Sequence, residues 1–183
     1  MRKKIIKQRT RYFLAVEGDS EQSFVKWLQS LAEELGLHIH LDCQPLGGGG
    51  YEVMLKRAVR YSQRKERNKL KVSILLVDAD RTVSDDNWSL DQLREAASKH
   101  KFTVVFQIPN LEGLLLRLLP RNEHLQLSSS SALSRLRRVW PDYQKPANAR
   151  MLASKFCLDD LLRVAKLDSE LNLLLSTLGL SNG

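Results

Sequence analysis

Four apolar runs alternate along the first 120 residues with four stretches in which apolar residues recur at helical spacing. The run over residues 72–77 is continuous, which is typical of a strand buried on both faces, whereas residues 37–41 alternate as in a half-exposed strand. The predicted strands are residues 12–16, 37–41, 72–77 and 102–107, and the predicted helices are residues 20–35, 51–67, 89–100 and 111–119. This order predicts an α/β fold with a mostly parallel four-stranded sheet and helices on both faces.

The pattern changes after residue 120. A polar stretch at residues 128–131 and a basic turn of helix precede a break at residues 141–146, and two Leu-rich helices are predicted from there to residue 178. This segment is long enough to cover the sheet but short for an independent core. We therefore predict an α/β domain over residues 1–120 and a helical C-terminal extension, packed on it, over residues 121–183.

Carboxylates follow two of the predicted strands. Glu17 comes after the first strand, Asp78 and Asp80 come after the third, and Glu21 lies one helical turn beyond Glu17. The carboxyl ends of parallel strands share the sheet edge at which open α/β sheets bind ligands, so these acids are expected to meet. Carboxylates at such short distances repel each other unless a cation lies between them, and Mg²⁺ or Mn²⁺ takes oxygen ligands. The sequence predicts metal-dependent phosphate chemistry.

Most of these acids also have a structural interpretation. Glu17 could stabilise the start of the first helix, Glu21 could be solvated, and Asp80 could pair with Arg81. Glu112, in the first turn of the fourth helix, could join the acidic edge or only cap its helix. Asp78 follows a strongly apolar strand, so its carboxylate is expected to be buried, and a buried carboxylate needs a partner.

Basic residues are clustered in a chain of net charge +8. Residues 2–11 hold six basic residues and no acid, and residues 56–71 hold eight basic residues and one acid. A smaller group is Arg135, Arg137 and Arg138. The candidates for nucleic-acid binding are Arg57, Arg60, Arg64, Lys65 and Arg67. Such clusters beside an acidic site suit a polyanion such as nucleic acid, although charged helix faces can simply be solvated.

Other functional classes lack a sequence signal. No apolar stretch reaches the length of a membrane span, and residues 2–7 do not form a secretory signal, so a cytoplasmic protein is expected. Cys43 and Cys157 are expected to be reduced and buried. The glycine run at residues 47–50 has neither the P-loop nor the dinucleotide pattern, and Ser20 has no nucleophile-elbow motif around it.

Four short motifs together resemble those of Toprim-domain proteins, specifically the RloB-like group and the related overcoming-lysogenization-defect (OLD) nucleases. They are residues 16–21 (VEGDSE), 76–81 (LVDADR), 109–116 (PNLEGLLL) and 143–145 (YQK). The resemblance implies a Toprim-like (Rossmann-like) fold and a divalent-metal nuclease of bacterial antiviral defence, often acting with an ATPase partner. The chain has no tyrosine-nucleophile domain or primase apparatus, so strand passage and priming are not expected.

The same resemblance implies roles for individual residues. Glu17, Asp78 and Asp80 would bind Mg²⁺, Glu21 would help to hold a second ion, and Lys145 would offset negative charge on the phosphate under attack. Two ions would activate water and stabilise the leaving oxygen.

Three hypotheses follow. The first is a Mg²⁺- or Mn²⁺-dependent nuclease, the second is a catalytically silent Toprim-like module that binds nucleic acid or an ATPase, and the third is a small-molecule phosphotransferase. Lys and Arg side chains grip the backbones of DNA and RNA alike, so the class of nucleic acid stays open, as does a homo-oligomeric state.

Overall fold

The computed structural model describes residues 9–64, 72–80 and 88–181. Its four strands form one parallel sheet in the order β2-β1-β3-β4. The strands are β1 (Thr10–Val16), β2 (Ile39–Pro45), β3 (Val72–Asp78) and β4 (Phe102–Gln107). The helices are α1 (Asp19–Glu34), α2 (Tyr51–Ser62), α3 (Leu90–Lys99), α4 (Leu111–Leu118), α5 (Ser129–Val139), α6 (Ala149–Lys155), α7 (Leu158–Ala165) and α8 (Ser169–Leu178). The predicted α/β class is confirmed, and the arrangement is consistent with a Rossmann-like, Toprim-type fold.

Alternate side chains of the central strands enter two different cores. Leu14 and Leu76 pack on one face of the sheet with α1, α4 and the four C-terminal helices. Ala15 and Leu75 pack on the other face with α2 and α3. Because successive residues of a strand point to opposite faces, a strand covered on both sides must be apolar throughout, as β3 is.

Helices α1 and α4 are capped at their N-termini in different ways. Gly18 is the N-cap of α1, so the predicted cap at Asp19 or Ser20 is wrong: both residues already lie in the helix. The Glu21 carboxylate supplies the capping hydrogen bond by accepting from Gly18 N at 3.0 Å. Asn110 caps α4 as predicted, because its side-chain oxygen accepts from Gly113 N at 3.0 Å.

Several boundaries differ from the prediction. Pairing with β1 carries β2 on to Pro45, through polar residues that the alternating pattern of residues 37–41 did not include. Helix α2 ends at Ser62 instead of residue 67, and residues 65–67 lie outside the described residues. Three helices, not two, follow the break, since Asp160 and Asp168 accept capping hydrogen bonds at the starts of α7 and α8.

Two further expectations concern the cysteines and membranes. Cys157 is exposed and Cys43 is only partly buried, so the expectation of two buried thiols is wrong. Cys157 lies at the N-cap of α7, where the chain turns at the surface. Among the helices of the described ranges, none is long and apolar enough to cross a membrane.

Candidate functional site

A cavity of about 520 Å³ opens at the carboxyl edge of the sheet, beyond the ends of β1 and β3. Val16 pairs with Leu76 across these strands, so Glu17, directly after β1, and Asp78, the last residue of β3, lie at the same edge. The cavity is lined by Glu17, Gly18, Asp19, Ser20, Glu21, Pro45, Gly47, Gly48, Asp78, Lys145 and Pro146. The structure thus brings four of the predicted site residues, including one from the C-terminal segment, to the same cavity.

Glu17 is buried where β1 meets the cavity. Its backbone oxygen accepts hydrogen bonds from Gly47 N at 3.1 Å and Gly48 N at 3.2 Å. Both glycines have positive φ angles, which residues with a Cβ atom rarely adopt. The glycine run that the sequence left without a role therefore folds back on Glu17 and forms one wall of the cavity.

Glu21 is also buried, in the first turn of α1. Burial raises the pKa of its carboxyl group, and hydrogen bonds from the backbone oppose that rise. The negative charges of Glu17 and Glu112 raise the pKa further. The sequence predicted that Glu21 could point back toward the edge, and its carboxylate does so, held on Gly18 N.

Asp78 ends β3 and is held through both its backbone and its side chain. Its Oδ1 accepts from Leu111 N at 3.2 Å, and its backbone oxygen accepts from the Tyr51 hydroxyl at 2.8 Å. Burial raises the pKa of Asp78 to about 9, and the charges of four acids add to this effect. In decreasing order of effect, those acids are Glu21, Glu17, Asp80 and Glu112. Without a cation, the Asp78 carboxyl group is therefore protonated at neutral pH.

Asp80 lies at the rim of this site. The chain bends after β3 because Ala79 N and Asp80 N both donate to Pro109 O, at 3.0 and 3.1 Å. The bend leaves the Asp80 side chain exposed, where it accepts a hydrogen bond from the Ser129 hydroxyl of α5. Asp80 is not among the residues that line the cavity, although its charge acts on Asp78.

Glu112 is 1% exposed and belongs to the acidic group, an alternative that the sequence had left open. Its Oε1 accepts from the Tyr143 hydroxyl at 2.9 Å and pairs with Lys145 Nζ at 2.9 Å. Burial and the Glu112 charge raise the pKa of Tyr143, which stays a neutral donor. Sequence reasoning missed this role of Tyr143, for which the short YQK motif was the available signal.

Lys145 joins this group from the C-terminal segment, and its side chain is 48% exposed. Burial acts to lower the pKa of Lys145, but its hydrogen bond to Glu112 and the charges of Glu112, Glu21 and Asp78 outweigh this and raise it. Lys145 is therefore a fixed positive charge at the mouth of the cavity.

The donor set fits a hard divalent cation. Glu17, Glu21 and Asp78 offer carboxylate oxygens, the ligands that Mg²⁺ and Mn²⁺ prefer. In the described ranges, however, no three His, Cys, Asp or Glu side chains already surround one point as metal ligands. Coordination by all three acids would require side-chain rotation, for example release of Glu21 from Gly18 N.

Of the predicted nucleic-acid-binding residues, the structure describes Arg57, Arg60 and Arg64. Arg57 Nη1 donates to Leu46 O at 2.7 Å and Gly48 O at 2.9 Å, so it holds the glycine loop. Arg60 and Arg64 lie near the Tyr61 ring, 5.6 and 4.4 Å from its centroid. Arg60 is about 13 Å along α2 from Tyr51, which is the cavity end of that helix. Outside the described residues lie Lys65, Arg67, Arg81 and most of the N-terminal basic cluster at residues 2–11. Its described members, Arg9 and Arg11, pair with Glu33 and Asp42.

Comparison with known proteins found few similarities. No family model matches the chain, and no curated protein matches it. Two solved structures of the C-terminal region of the Xanthomonas campestris pv. campestris OLD protein, phased with platinum and with mercury, are each 18% identical to it. They cover 86% of this chain and 77% and 79% of their own, with TM-scores of 0.34 and 0.35. At this identity and these TM-scores, the likeness carries no functional argument.

Proposed function

We propose that this chain is a Mg²⁺- or Mn²⁺-dependent phosphodiesterase that cleaves nucleic acid. The observation that carries the proposal is the convergence of Glu17, Glu21 and Asp78 on one cavity whose mouth holds the Lys145 ammonium group. Mutual repulsion among the acids supports a cation at this place, since a cation would offset it. An ammonium group beside the acids suits a phosphate, which carries negative charge to the same place.

The proposal gives each side chain a separate task. Glu17 and Asp78 would hold the cation, with Glu21 and Asp80 as further ligands from the wall and the rim of the cavity. The cation would stabilise charge on the phosphate and lower the pKa of a water molecule. Lys145 binds a phosphoryl oxygen, and Glu112 keeps the Lys145 side chain from turning into solvent. The motif resemblance extends the proposal to antiviral defence alongside an ATPase partner.

Two observations favour a second candidate, the catalytically silent binding module. The described acids do not already form a ligand group, and Asp78 is held protonated by its surroundings. A module of this kind would bind nucleic acid with equal affinity in the presence and absence of a divalent cation.

The first experiment measures Mn²⁺ and Mg²⁺ binding by calorimetry and then cleavage of labelled DNA and RNA in the same buffers. Asp78→Asn keeps the size of the side chain and an oxygen for Leu111 N but removes the charge. We expect this variant to bind the cation at least about tenfold more weakly and to lose cleavage. Asp159→Asn, at an exposed position of α7, is the matched control and should behave as the parent chain does.

The outcomes separate the two candidates. Cleavage that survives Asp78→Asn would remove the proposed metal assignment. Nucleic-acid binding without cleavage, unchanged by EDTA, would establish the silent module.

Lys145→Met should retain cation binding and lower the rate of cleavage by about 10²-fold, since it removes one charge contact to the phosphate.

A further inference from the structure

A second polar surface lies beside the acidic site, along helix α5. A groove of about 350 Å³ follows this helix and is lined by Leu127, Ser130, Ser131, Ser134, Arg135 and Arg138. We call this surface the α5 groove. The sequence singled out its arginines as the smallest of three basic clusters, and the proposed chemistry does not use them.

The α5 groove is one continuous face of the helix. Ser130, Ser134 and Arg138 are spaced four residues apart and form one row, and Ser131 and Arg135 form the adjacent row. The opposite face carries the buried residues of α5, Ala132 and Leu136, which pack into the core. Hydroxyl and guanidinium groups therefore point outward together from a helix that is fixed by its apolar side.

The charge of the α5 groove is positive only. Residues 124–141 contain three arginines and no aspartate or glutamate. Within the described part of the chain, neither Arg135 nor Arg138 has an acidic partner, whereas Arg94, Arg117 and Arg163 all pair with carboxylates. The guanidinium groups of the α5 groove are thus available to an external anion.

The α5 groove begins at the acidic site. Ser129, in the first turn of α5, donates its hydroxyl hydrogen to Asp80 at the rim of the cavity. From Ser130 to Arg138 the helix rises about 12 Å, the length of three to four nucleotides of one B-form strand. By contrast, Arg57 is engaged with the glycine loop, and Arg60 lies at the far end of α2.

We propose that the α5 groove binds the sugar–phosphate backbone of the nucleic-acid strand that enters the cavity past Asp80. This inference rests on the proposed function and adds the path of the substrate. Serine hydroxyls and arginines contact phosphates without reading bases, so the contact is independent of sequence. The sequence prediction took its nucleic-acid-binding candidates from residues 57–67 instead, and counted the α5 arginines only as a smaller basic cluster.

The test measures binding of a labelled single-stranded oligonucleotide to the full chain by fluorescence anisotropy, in EDTA and over a series of salt concentrations. Arg135→Ala/Arg138→Ala removes two charges from the α5 groove. The α2 variant, Arg60→Ala/Arg64→Ala, removes two charges at the C-terminal end of α2, where Arg64 lies just beyond the helix. We expect the α5 variant to bind about tenfold more weakly, with its salt slope reduced by about 1.4, because each phosphate contact on a single strand contributes about 0.7. The α2 variant should stay within about twofold of the parent chain.

Calorimetric titration with Mn²⁺ checks that the α5 variant retains an intact acidic site. If the α5 variant binds the oligonucleotide as well as the parent chain does, or if only the α2 variant loses affinity, the α5 groove is not the path of the substrate. The proposed function would still stand in that case, provided that the parent chain cleaves nucleic acid. If the parent chain neither binds nor cleaves nucleic acid, in EDTA or with Mn²⁺, both proposals fall.

Discussion

Asp78 occupies a position that opposes its own ionisation. Its carboxyl group is partly buried, and four other acids act on it, which raises its pKa to about 9 from an ordinary value of 3.8. In the absence of a cation, the folded chain must keep a proton there or accept an unfavourable buried charge. A site of this kind lowers the stability of the cation-free fold but provides ligands for a cation. Such a trade-off between stability and function is common at functional sites.

Asp78→Asn should therefore stabilise the cation-free chain, and increasingly so as the pH rises. The pKa in the folded state lies above that in the unfolded state, so between about pH 4 and 9 the folded chain holds a proton that the unfolded chain has lost. The free energy of unfolding then falls with rising pH, by up to about 1.4 kcal/mol per pH unit from this group. Asparagine cannot ionise and removes this loss.

Urea unfolding in EDTA at pH 5, 7 and 8.5 measures the effect. The stability difference between Asp78→Asn and the parent chain should grow from the lowest to the highest pH, and Asp159→Asn should show no such growth. A difference that is the same at all three pH values would show that Asp78 ionises normally in the folded chain.

The acids of the site show which contacts could be predicted from the sequence and which could not. Glu17 and Asp78 were predicted to meet because each follows a strand of a parallel sheet, and strand ends can be read from local pattern. The buried contact of Glu112 with Tyr143 joins residues 31 positions apart. The YQK motif marks Tyr143 but not its partner, because that contact depends on where the C-terminal segment packs.

At the scale of elements, α2 and the glycine loop form one unit. Helix α2 begins directly after the loop, and Arg57, two turns into the helix, reaches back to two loop carbonyl oxygens. The loop in turn donates Gly47 N and Gly48 N to Glu17 O. Arg57 thus positions a wall of the site through its hydrogen bonds to the loop.

Arg57→Ala should lower both stability and cation affinity. Two carbonyl oxygens would lose a charged donor, which costs about 1–3 kcal/mol of unfolding free energy. The freed loop would hold Glu17 less firmly, so Mn²⁺ affinity should fall as well. Arg60→Ala, three residues along the same helix and exposed, should change stability by less than about 0.5 kcal/mol.

Urea unfolding and calorimetry on the two variants decide this point. If Arg57→Ala weakens oligonucleotide binding in EDTA while leaving stability and Mn²⁺ affinity unchanged, Arg57 contacts nucleic acid as the sequence suggested and does not act on the loop.

Element boundaries were predictable where a local signal marks them. Asn110 was predicted to cap α4 and does so. The extension of β2 to Pro45 follows instead from its pairing with β1, a contact between segments about 30 residues apart. The division of the C-terminal segment into α6, α7 and α8 depends on capping by Asp160 and Asp168, a signal that was present in the sequence but was masked by the continuous Leu-rich pattern.

For the whole molecule, the decisive feature is the core shared by the sheet and the C-terminal helices. Phe156, between α6 and α7, lies 6.1 Å from the Trp27 ring of α1 and 5.5 Å from the Trp140 ring, measured between ring centroids. Nearby, Ala147 N donates to the Ser20 hydroxyl oxygen at 3.3 Å. These contacts fix residues 143–147 over the cavity, and so the position of Lys145 depends on the packing of the C-terminal helices.

A shared core predicts that the chain unfolds in one cooperative transition. Phe156→Ala should lower the free energy of unfolding by about 3–5 kcal/mol, because it opens a cavity between two tryptophans. The midpoints measured by tryptophan fluorescence and by far-UV circular dichroism should move together, since loss of the contact weakens both parts at once. Phe102→Ala, in the core on the other face of the sheet, serves as the matched control and should also shift both midpoints together. If the fluorescence midpoint of Phe156→Ala moved and its dichroism midpoint did not, the C-terminal helices would unfold separately from the sheet. Lys145 could then leave the cavity while the acids stay in place.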